Sequence, residues 1–271
     1  MSVPTRPLWL LGRDLTASPS PLMHNAALAS LGAPPLYSLK PVEPVDVERA
    51  FDEAEGHCRG INVTAPYKRQ AARRFGAVLD DTARLCGAVN TVVFDQGRAV
   101  AASNTDVHGL LAAWRRASID VTDRVVAVVG AGGAARAALV AAKEAGARGV
   151  TLTARREEAR GALAAEASAL SLPVVDEPAA LVVLAASALD DAAGTIATAL
   201  RGPGAVHELR YGAAARASRD AALRARHVFL DGTSMLLAQG QAAMALFLGG
   251  TLPGPAAAAM SRAVSTWLSY P

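Results

Sequence analysis

Lys68 and Asp106 are the residues of this chain best placed by their surroundings for proton chemistry. Lys68 stands just past an Asn-Val-Thr-Ala-Pro turn in INVTAPYKRQ, residues 61–70. A solvated surface lysine needs no such setting. Asp106 opens the helix-like run SNTDVHGLLAAWRRA further along. A lysine beside a carboxylate can relay the proton of a carbonyl–alcohol couple, the carboxylate orienting the ammonium. Taken singly, each residue also fits an ordinary role, Lys68 as a solvated charge and Asp106 as a helix cap.

A second chemistry is written in RVVAVVGAGGAARAALVAAKEAGARGVTLTARR, residues 124–156. VVAVV reads as a buried strand, Gly130, Gly132 and Ala135 match G-x-G-x-x-G/A, and an alanine-rich helix runs to Gly146. This is the opening strand, turn and helix of a dinucleotide-binding unit. Missing side chains let a phosphate approach the backbone N–H groups at the helix N-terminus. The next strand ends in Thr153-Ala154-Arg155-Arg156, with no acid before Glu157. An acid there would accept from the ribose 2′-OH of NAD, whereas arginines pair with the 2′-phosphate of NADP. The chain is therefore expected to prefer NADP.

The elements that position these residues follow from the apolar pattern. WLLG (9–12), LYSLKPV (36–42) and GINVT (60–64) read as strands. Helices are predicted over Pro21–Leu31, stopped by Gly32 and two prolines, and over roughly 46–55. Strands alternating with helices predict an α/β fold with a mostly parallel sheet. Lys68 is expected at the end of a first-domain strand, where open parallel sheets hold their ligands. Asn104, Thr105 and Asp106 are all residues suited to capping the helix that leads into the nucleotide unit.

Composition narrows the function classes. The chain has 271 residues, 52% of them hydrophobic and 19% charged, enough for two modest cores and too few charges for a disordered chain. A net charge of +3, with no basic run of five, gives no basis for nucleic-acid binding. No apolar stretch approaches a membrane span, and the start MSVPTRPLWLLGRD is too weakly apolar for a signal peptide. Cys58 and Cys86 share no metal or redox spacing and read as reduced thiols of a cytoplasmic protein. The five histidines show no ligand spacing, so no metal is expected, and His24 reads as structural.

With these residues in view, the chain resembles the shikimate dehydrogenase family over nearly its whole length. SPSPLMHN (18–25) is similar to S-x-S-P-x-x-H-N, and INVTAPYK (61–68) to N-V-T-x-P-x-K. GAVNT (87–91) and NTDVHG (104–109) match G-A-x-N-T and N-T-D-x-x-G. GAGGAARA (130–137) is the family's glycine turn, and DGTSMLLAQG (231–240) resembles the closing G-x-x-M-L-x-x-Q segment. The resemblance implies reversible, NADP-linked interconversion of 3-dehydroshikimate and shikimate. It implies that Ser18 and Ser20 hold the substrate carboxylate, and that Thr64, Asn90, Asp106 and Gln239 bind ring hydroxyls. Lys68 becomes the acid–base residue, with Asp106 fixing it. Tyr211 corresponds to the family's tyrosine near the substrate carboxylate. Gly130, Ala131, Gly132, Gly133, Ala134, Arg155, Arg156 and Gly232 become the cofactor-binding set.

Departures from the family's pattern fall in the cofactor half. The family usually shows Asn-Arg-Thr where this chain has Ala154-Arg155-Arg156. Ala185-Ala186-Ser187 replaces Asn-Ala-Thr, with no following Gly-Met. Glu208 stands where Asp is common, and the usual proline after Tyr211 is missing. The expected architecture is an N-terminal substrate-binding and catalytic domain over 1–105, completed by 237–271, and a Rossmann-like NADP-binding domain over 106–236, with a cleft between them. In the last helices, Met244, Phe247 and Leu248 are expected in the core. The expected protein is a monomer or homodimer. Two other readings stay open: a paralogue acting on quinate or an amino-shikimate, and a shikimate-binding regulatory protein with weakened hydride transfer. Ser20 speaks against quinate, and the pair Lys68 and Asp106 against a pure binder.

Overall fold

The computed structural model describes residues 3–186 and 188–269. The chain divides into two units, Met1–Thr105 with Leu237–Pro271, and Asp106–Leu236.

The first unit contains β1 (Leu8–Gly12), α1 (Ser20–Ser30), β2 (Tyr37–Pro41), α2 (Val47–His57), β3 (Gly60–Val63), α3 (Lys68–Arg74), α4 (Asp81–Cys86), β4 (Thr91–Asp95) and β5 (Arg98–Ser103). Its sheet has the order β2-β1-β3-β4-β5. Alternation along the strands sorts side chains to two faces. Leu11, Ile61, Val63, Val92 and Phe94 pack with α2 residues Phe51 and Ala54 on one face. Leu8, Leu10 and Val93 pack on the other with Met23 and Leu28 of α1. That second face is also where the end of the chain returns. Met244, Phe247 and Leu248 lie buried there, as their apolar pattern predicts, beside Ala256, Met260 and Val264.

The second unit follows α5 (Thr105–Arg116), which begins one residue before it. It holds β6 (Val125–Val129), α6 (Gly133–Glu144), β7 (Gly149–Thr153), α7 (Glu157–Ala169), β8 (Leu181–Leu184), α8 (Ala192–Ala199), β9 (Ala205–Glu208), α9 (Arg216–Arg224) and β10 (Val228–Leu230). Helix α10 (Thr233–Leu248) starts here and runs into the first unit's share of the chain, and α11 (Gly254–Ser269) ends it. The sheet order is β10-β9-β8-β6-β7, and every pair is parallel. A parallel bridge from Val150 to Val174 extends it beyond β7. Strand order reverses at β6, where β7 lies on one side and β8 on the other. Doubly wound sheets open their ligand crevice at such a point. The central strands β6 and β8 are fully buried runs of Val, Leu and Ala, as a sheet covered on both faces requires.

Two sequence expectations need correction. The first unit's sheet is mixed rather than mostly parallel: β1 pairs in parallel with β2 and β3, while β3–β4 and β4–β5 are antiparallel. The cause is local. Gln96 and Gly97 both have positive φ, 47° and 75°, and join β4 directly to β5 as a tight hairpin. Lys68 does not end a strand either; it is the first residue of α3. Pro66 has no N–H for a sheet ladder, and the Tyr67 N–H donates to the Thr64 carbonyl at 3.0 Å, turning the chain out of β3.

Candidate active site

In the first unit, the sequence-selected polar residues lie on a small number of loops and strand ends. The Ser18 hydroxyl donates to the Ser20 hydroxyl at 3.2 Å, and the Ser20 N–H reaches back to Ser18 Oγ at 3.3 Å. Ser20 is the first residue of α1, and Pro19 between the pair fixes the entry to the helix. The two hydroxyls therefore converge on one spot, as a carboxylate clamp requires.

Asn90 is held on every side. Its Nδ2 donates to Thr105 Oγ1 at 3.0 Å, and its Oδ1 accepts from the Thr105 N–H at 2.8 Å and from the Thr91 hydroxyl at 3.0 Å. Thr105 Oγ1 lies 3.5 Å from Gln239 Oε1 of α10. The Asn90 amide is thus pinned in one orientation by groups that a buried amide must have. The Val89 N–H donates to the Lys68 carbonyl at 2.9 Å, so the first residue of α3 is tied to the stretch carrying Asn90. Thr64 is half-buried, and its N–H donates to the Leu11 carbonyl at 2.8 Å, which seats it beside the end of β1. Ser18, Ser20, Thr64, Lys68, Asn90 and Gln239 all belong to this unit. Asp106, 5% exposed, lies in the first turn of α5 and is the first residue of the other. The Asn104 Nδ2 donates to the Ala88 carbonyl at 3.0 Å.

Sequence reasoning passed over the residues beneath this site. Asn62 faces away from Ile61 and Val63 because strand side chains alternate. Its Oδ1 accepts from the Tyr37 hydroxyl at 2.8 Å, and its Nδ2 donates to the Asn90 carbonyl at 3.1 Å and to Thr91 Oγ1 at 2.9 Å. The signal was available: an asparagine inside a strand whose four residues are all buried. His24 stacks on Tyr37 with ring centroids 4.2 Å apart and planes 3° from parallel. Burial lowers its pKa to about 3, so the ring is neutral. This accords with a structural role for His24.

The second unit carries the glycine turn. Gly130 has φ +121°, and a Cβ there would stand 2.8 Å from the Ala185 carbonyl carbon and 2.9 Å from its oxygen. Only glycine fits. Gly132 is the residue before α6, and a Cβ on it would meet nothing within 4 Å. Space therefore lies open over the helix N-terminus, where N–H groups attract anions. Ala135 faces inward with no exposed surface. Arg155 and Arg156 follow β7 and are both exposed. A cavity of about 710 Å³ opens beside these elements, lined by the strand-end residues Val129 and Thr153, by Asp176 and Pro178, and by Asp191 and Thr195. Of the altered segment, Ala185 and Ala186 press on the glycine turn through their backbone, and Ser187 lies outside the described residues.

Tyr211 and Gly232 occupy one corner of this unit. The buried Glu208 carboxylate accepts from the Arg210 N–H at 3.0 Å, from Arg210 Nη2 at 2.5 Å and from Ser218 Oγ at 2.7 Å. The Gly232 N–H donates to the Arg210 carbonyl at 2.9 Å. A Cβ on Gly232 would fall 2.1 Å from the Leu209 carbonyl oxygen, so this position too admits only glycine. Partial burial raises the Tyr211 pKa, which keeps its hydroxyl a neutral donor.

Comparison with known proteins agrees with this layout. Residues 10–92 match the family model described as the shikimate dehydrogenase substrate binding domain. The NADP(+)-dependent shikimate dehydrogenase of Rubrobacter xylanophilus is 40% identical over 153 residues, 54% of this chain; the match spans about half, 53%, of that relative's length. The corresponding protein of Pyrobaculum islandicum is 35% identical over 256 residues, covering 93% of this chain and 94% of the relative. Shikimate 5-dehydrogenase of Thermus thermophilus, solved in complex with NADP(H) and shikimate, superposes with a TM-score of 0.84 at 30% identity, over 97% of this chain and 100% of that one. Ordered motifs, two α/β units and near-complete coverage by a relative of this identity place the chain in the shikimate dehydrogenase family.

Proposed function

We propose that the protein is an NADP-dependent shikimate dehydrogenase, reducing 3-dehydroshikimate reversibly to shikimate. The observation that carries the reading is the set of Ser18, Ser20, Thr64, Lys68, Asn90 and Gln239 within one unit, most of it inside the stretch matched by the substrate-binding family. Ser18 and Ser20 hold the carboxylate with two hydroxyls. Asn90, Thr64, Gln239 and Asp106 read the ring hydroxyls, and Tyr211 adds a donor for the carboxylate. A small polyhydroxylated acid suits such a set, because an unpaired polar partner in a closed site costs about 1–3 kcal/mol.

The second unit suits NADP. The turn at Gly130 is closed to any side chain, the N-terminus of α6 at Gly132 and Gly133 is open, and Arg155 and Arg156 offer guanidinium groups after β7. Ala131 and Ala134 complete the turn with small side chains, and Gly232 keeps the loop before Tyr211 close-packed. When bound, NADPH supplies the hydride. The protein's part is the proton: the Lys68 ammonium gives it to the carbonyl oxygen during reduction and takes it from the hydroxyl during oxidation. Asp106 serves as the carboxylate partner of that ammonium. Work without metal, nucleic acid or membrane, as a monomer or homodimer in the cytoplasm, completes the proposal; the buried cysteines Cys58 and Cys86, neither in a disulfide, suit a reducing compartment.

The test is turnover. Purified protein with shikimate and NADP should show growing absorbance of NADPH. Activity with quinate alone would move the substrate assignment. Binding of shikimate with no turnover under either cofactor would replace the enzyme by a binding protein.

A further inference from the structure

Helix α6 buries a charge among alanines. Arg136, its fourth residue, is 7% exposed, with Ala135 and Ala137 buried on either side of it. Its Nε and Nη2 donate to Glu166 Oε1 of α7 at 2.8 Å and 2.6 Å. Joining two helices does not by itself call for such a pair, because replacing a buried ion pair with apolar residues of similar volume is often neutral or stabilising. The third nitrogen reaches elsewhere. Nη1 donates to the carbonyl oxygen of Ala131, inside the glycine turn, at 3.4 Å. The Ala131–Gly132 peptide is trans, and in a planar trans peptide the C=O and the N–H point in opposite directions. A carbonyl drawn toward the buried guanidinium therefore sends the Gly132 N–H the other way. That is the side on which Gly132 is exposed and an added Cβ would meet nothing within 4 Å.

We propose that Arg136 is a positioning residue for the dinucleotide: it holds the Ala131–Gly132 peptide in the orientation that aims the Gly132 N–H at a phosphate. The inference rests on the reading of the glycine turn as the phosphate cradle. Arg136 is buried and its charge is balanced by Glu166, so it acts through the peptide and not on the ligand. The turn needs such a hold. Glycine permits backbone rotations that other residues resist, and this peptide lies in a run with glycine at 130, 132 and 133. Half a turn of the Ala131–Gly132 unit would put a carbonyl oxygen where the N–H belongs, and its negative end repels an anion. The Arg136 N–H also donates to the Gly132 carbonyl at 3.2 Å. One residue thus holds the peptides on both sides of Gly132, the first by its side chain and the second by its main chain. A donor set in advance spares the ligand the cost of ordering it.

Arg136→Met keeps an unbranched side chain among the alanines and removes the bond to Ala131. NADPH and NADH share the pyrophosphate, so both should bind more weakly by the same factor. That factor is roughly tenfold, the low end of what one charge-assisted hydrogen bond is worth. Fluorescence titration gives both Kd values, and shikimate affinity should stay within about twofold. The second variant is Glu166→Gln, which gives up the ion pair but keeps an oxygen to accept from Arg136. Its NADPH Kd should stay within about threefold of the wild type, whatever the ion pair contributed to stability. Thermal unfolding is measured on all three proteins. An Arg136→Met protein that binds NADPH as the wild type does, whatever its unfolding midpoint, gives Arg136 a role in helix packing only and overturns the inference. So does a Glu166→Gln protein that loses as much NADPH affinity as Arg136→Met, since the ion pair and not the peptide contact then governs binding. Weakened NADPH with unchanged NADH overturns it as well. A wild-type protein that binds neither dinucleotide overturns the cofactor reading itself, and the inference with it.

Discussion

Gly130 and Gly132 stand two residues apart in one turn, and the structure assigns their substitutions opposite consequences. Alanine at 130 meets two costs. At φ +121° an L side chain is strained, worth about 1–3 kcal/mol. Its Cβ would also lie 2.8 Å and 2.9 Å from the carbonyl carbon and oxygen of Ala185, backbone atoms that have no rotamer to move into. Forcing that contact open costs a further 1–3 kcal/mol or so. The sum, about 2–6 kcal/mol, lowers the unfolding midpoint by roughly 5–20 °C at 2–4 °C per kcal/mol. Alanine at 132 meets neither cost: φ is −86° and nothing lies within 4 Å of the added carbon. Losing glycine before a helix costs up to about 1 kcal/mol, so the midpoint should hold within about 3 °C. The added methyl nevertheless fills space over the N–H groups that must reach a phosphate, and NADPH affinity should fall on the order of tenfold or more. The assay is thermal unfolding without cofactor, followed by NADPH titration by fluorescence. A Gly130→Ala protein melting with the wild type, or a Gly132→Ala protein binding NADPH normally, refutes this division of the turn into a packing position and a binding position.

The remaining predictions address the cofactor's identity, the proton and acid stability. Arg155→Ala should raise KM for NADP by about tenfold, the loss of one charge-assisted bond, and leave NAD nearly untouched; equal effects on both would remove the arginine argument. Lys68→Ala should lower kcat by roughly 10²–10⁴ with a much smaller change in shikimate affinity, since Ser18, Ser20 and Asn90 remain. Asp106→Asn should fold, because it keeps the side chain's size in the first turn of α5 and gives up only a charge–dipole contribution of about 0.3–1 kcal/mol, yet turn over slowly; normal kcat in a folded Asp106→Asn protein leaves Asp106 a helix-start residue only. For His24 and His207, burial lowers the pKa from 6.5 to about 3 and about 4. Both stay neutral in the fold while the unfolded chain takes up protons below about pH 6.5. Stability is therefore fully present above that pH and falls as pH drops, by up to about 1.4 kcal/mol per pH unit for each histidine, until the folded pKa is reached. Urea unfolding between pH 7 and pH 4 measures the slope, and His24→Phe, which keeps a ring against Tyr37, should remove about half of it.

The second unit was legible because its signals are local. A run of five buried apolar residues, a glycine turn and an alanine-rich helix are each complete within about ten positions, and β6, the turn and α6 fall where the pattern put them. The first unit was harder. Lys68 looked like a strand end because the apolar run stops just before it, but the Thr64–Tyr67 turn had already taken the chain into α3. The mixed sheet was hidden in Gln96-Gly97, where only the pair of positive φ values reveals a hairpin. Thr105 read as a capping residue, yet its hydroxyl and N–H are both spent on Asn90. Tyr37 and Asn62 were missed for the same reason. Their bond spans 25 positions of sequence, and no periodicity reports a contact made across a sheet face.

The departures in the cofactor half are also a matter of packing as much as of chemistry. Glu208 is longer than the aspartate usual in the family, and it is fully buried. A buried carboxylate is tolerated only with its oxygens satisfied, and here Arg210 supplies donors from both backbone and guanidinium while Ser218 of α9 supplies a third group. That closes the chain around residues 208–210 and delivers Tyr211 three residues past the end of β9. On the opposite side, Gly232 lets the approach to α10 run against the Leu209 carbonyl, and Asp231 Oδ1 accepts from the Thr233 N–H at 3.0 Å at the start of that helix. Tyr211 is thus set by two contacts to the residues just before it, neither of which requires the missing proline. The same logic covers Ala185 and Ala186. Their part in the turn is played by backbone atoms against Gly130, which any side chain of similar size would leave in place. Replacing the family's polar residues there alters what the site can hydrogen-bond, and leaves intact the close approach of β6 and β8 on which the glycine turn is built.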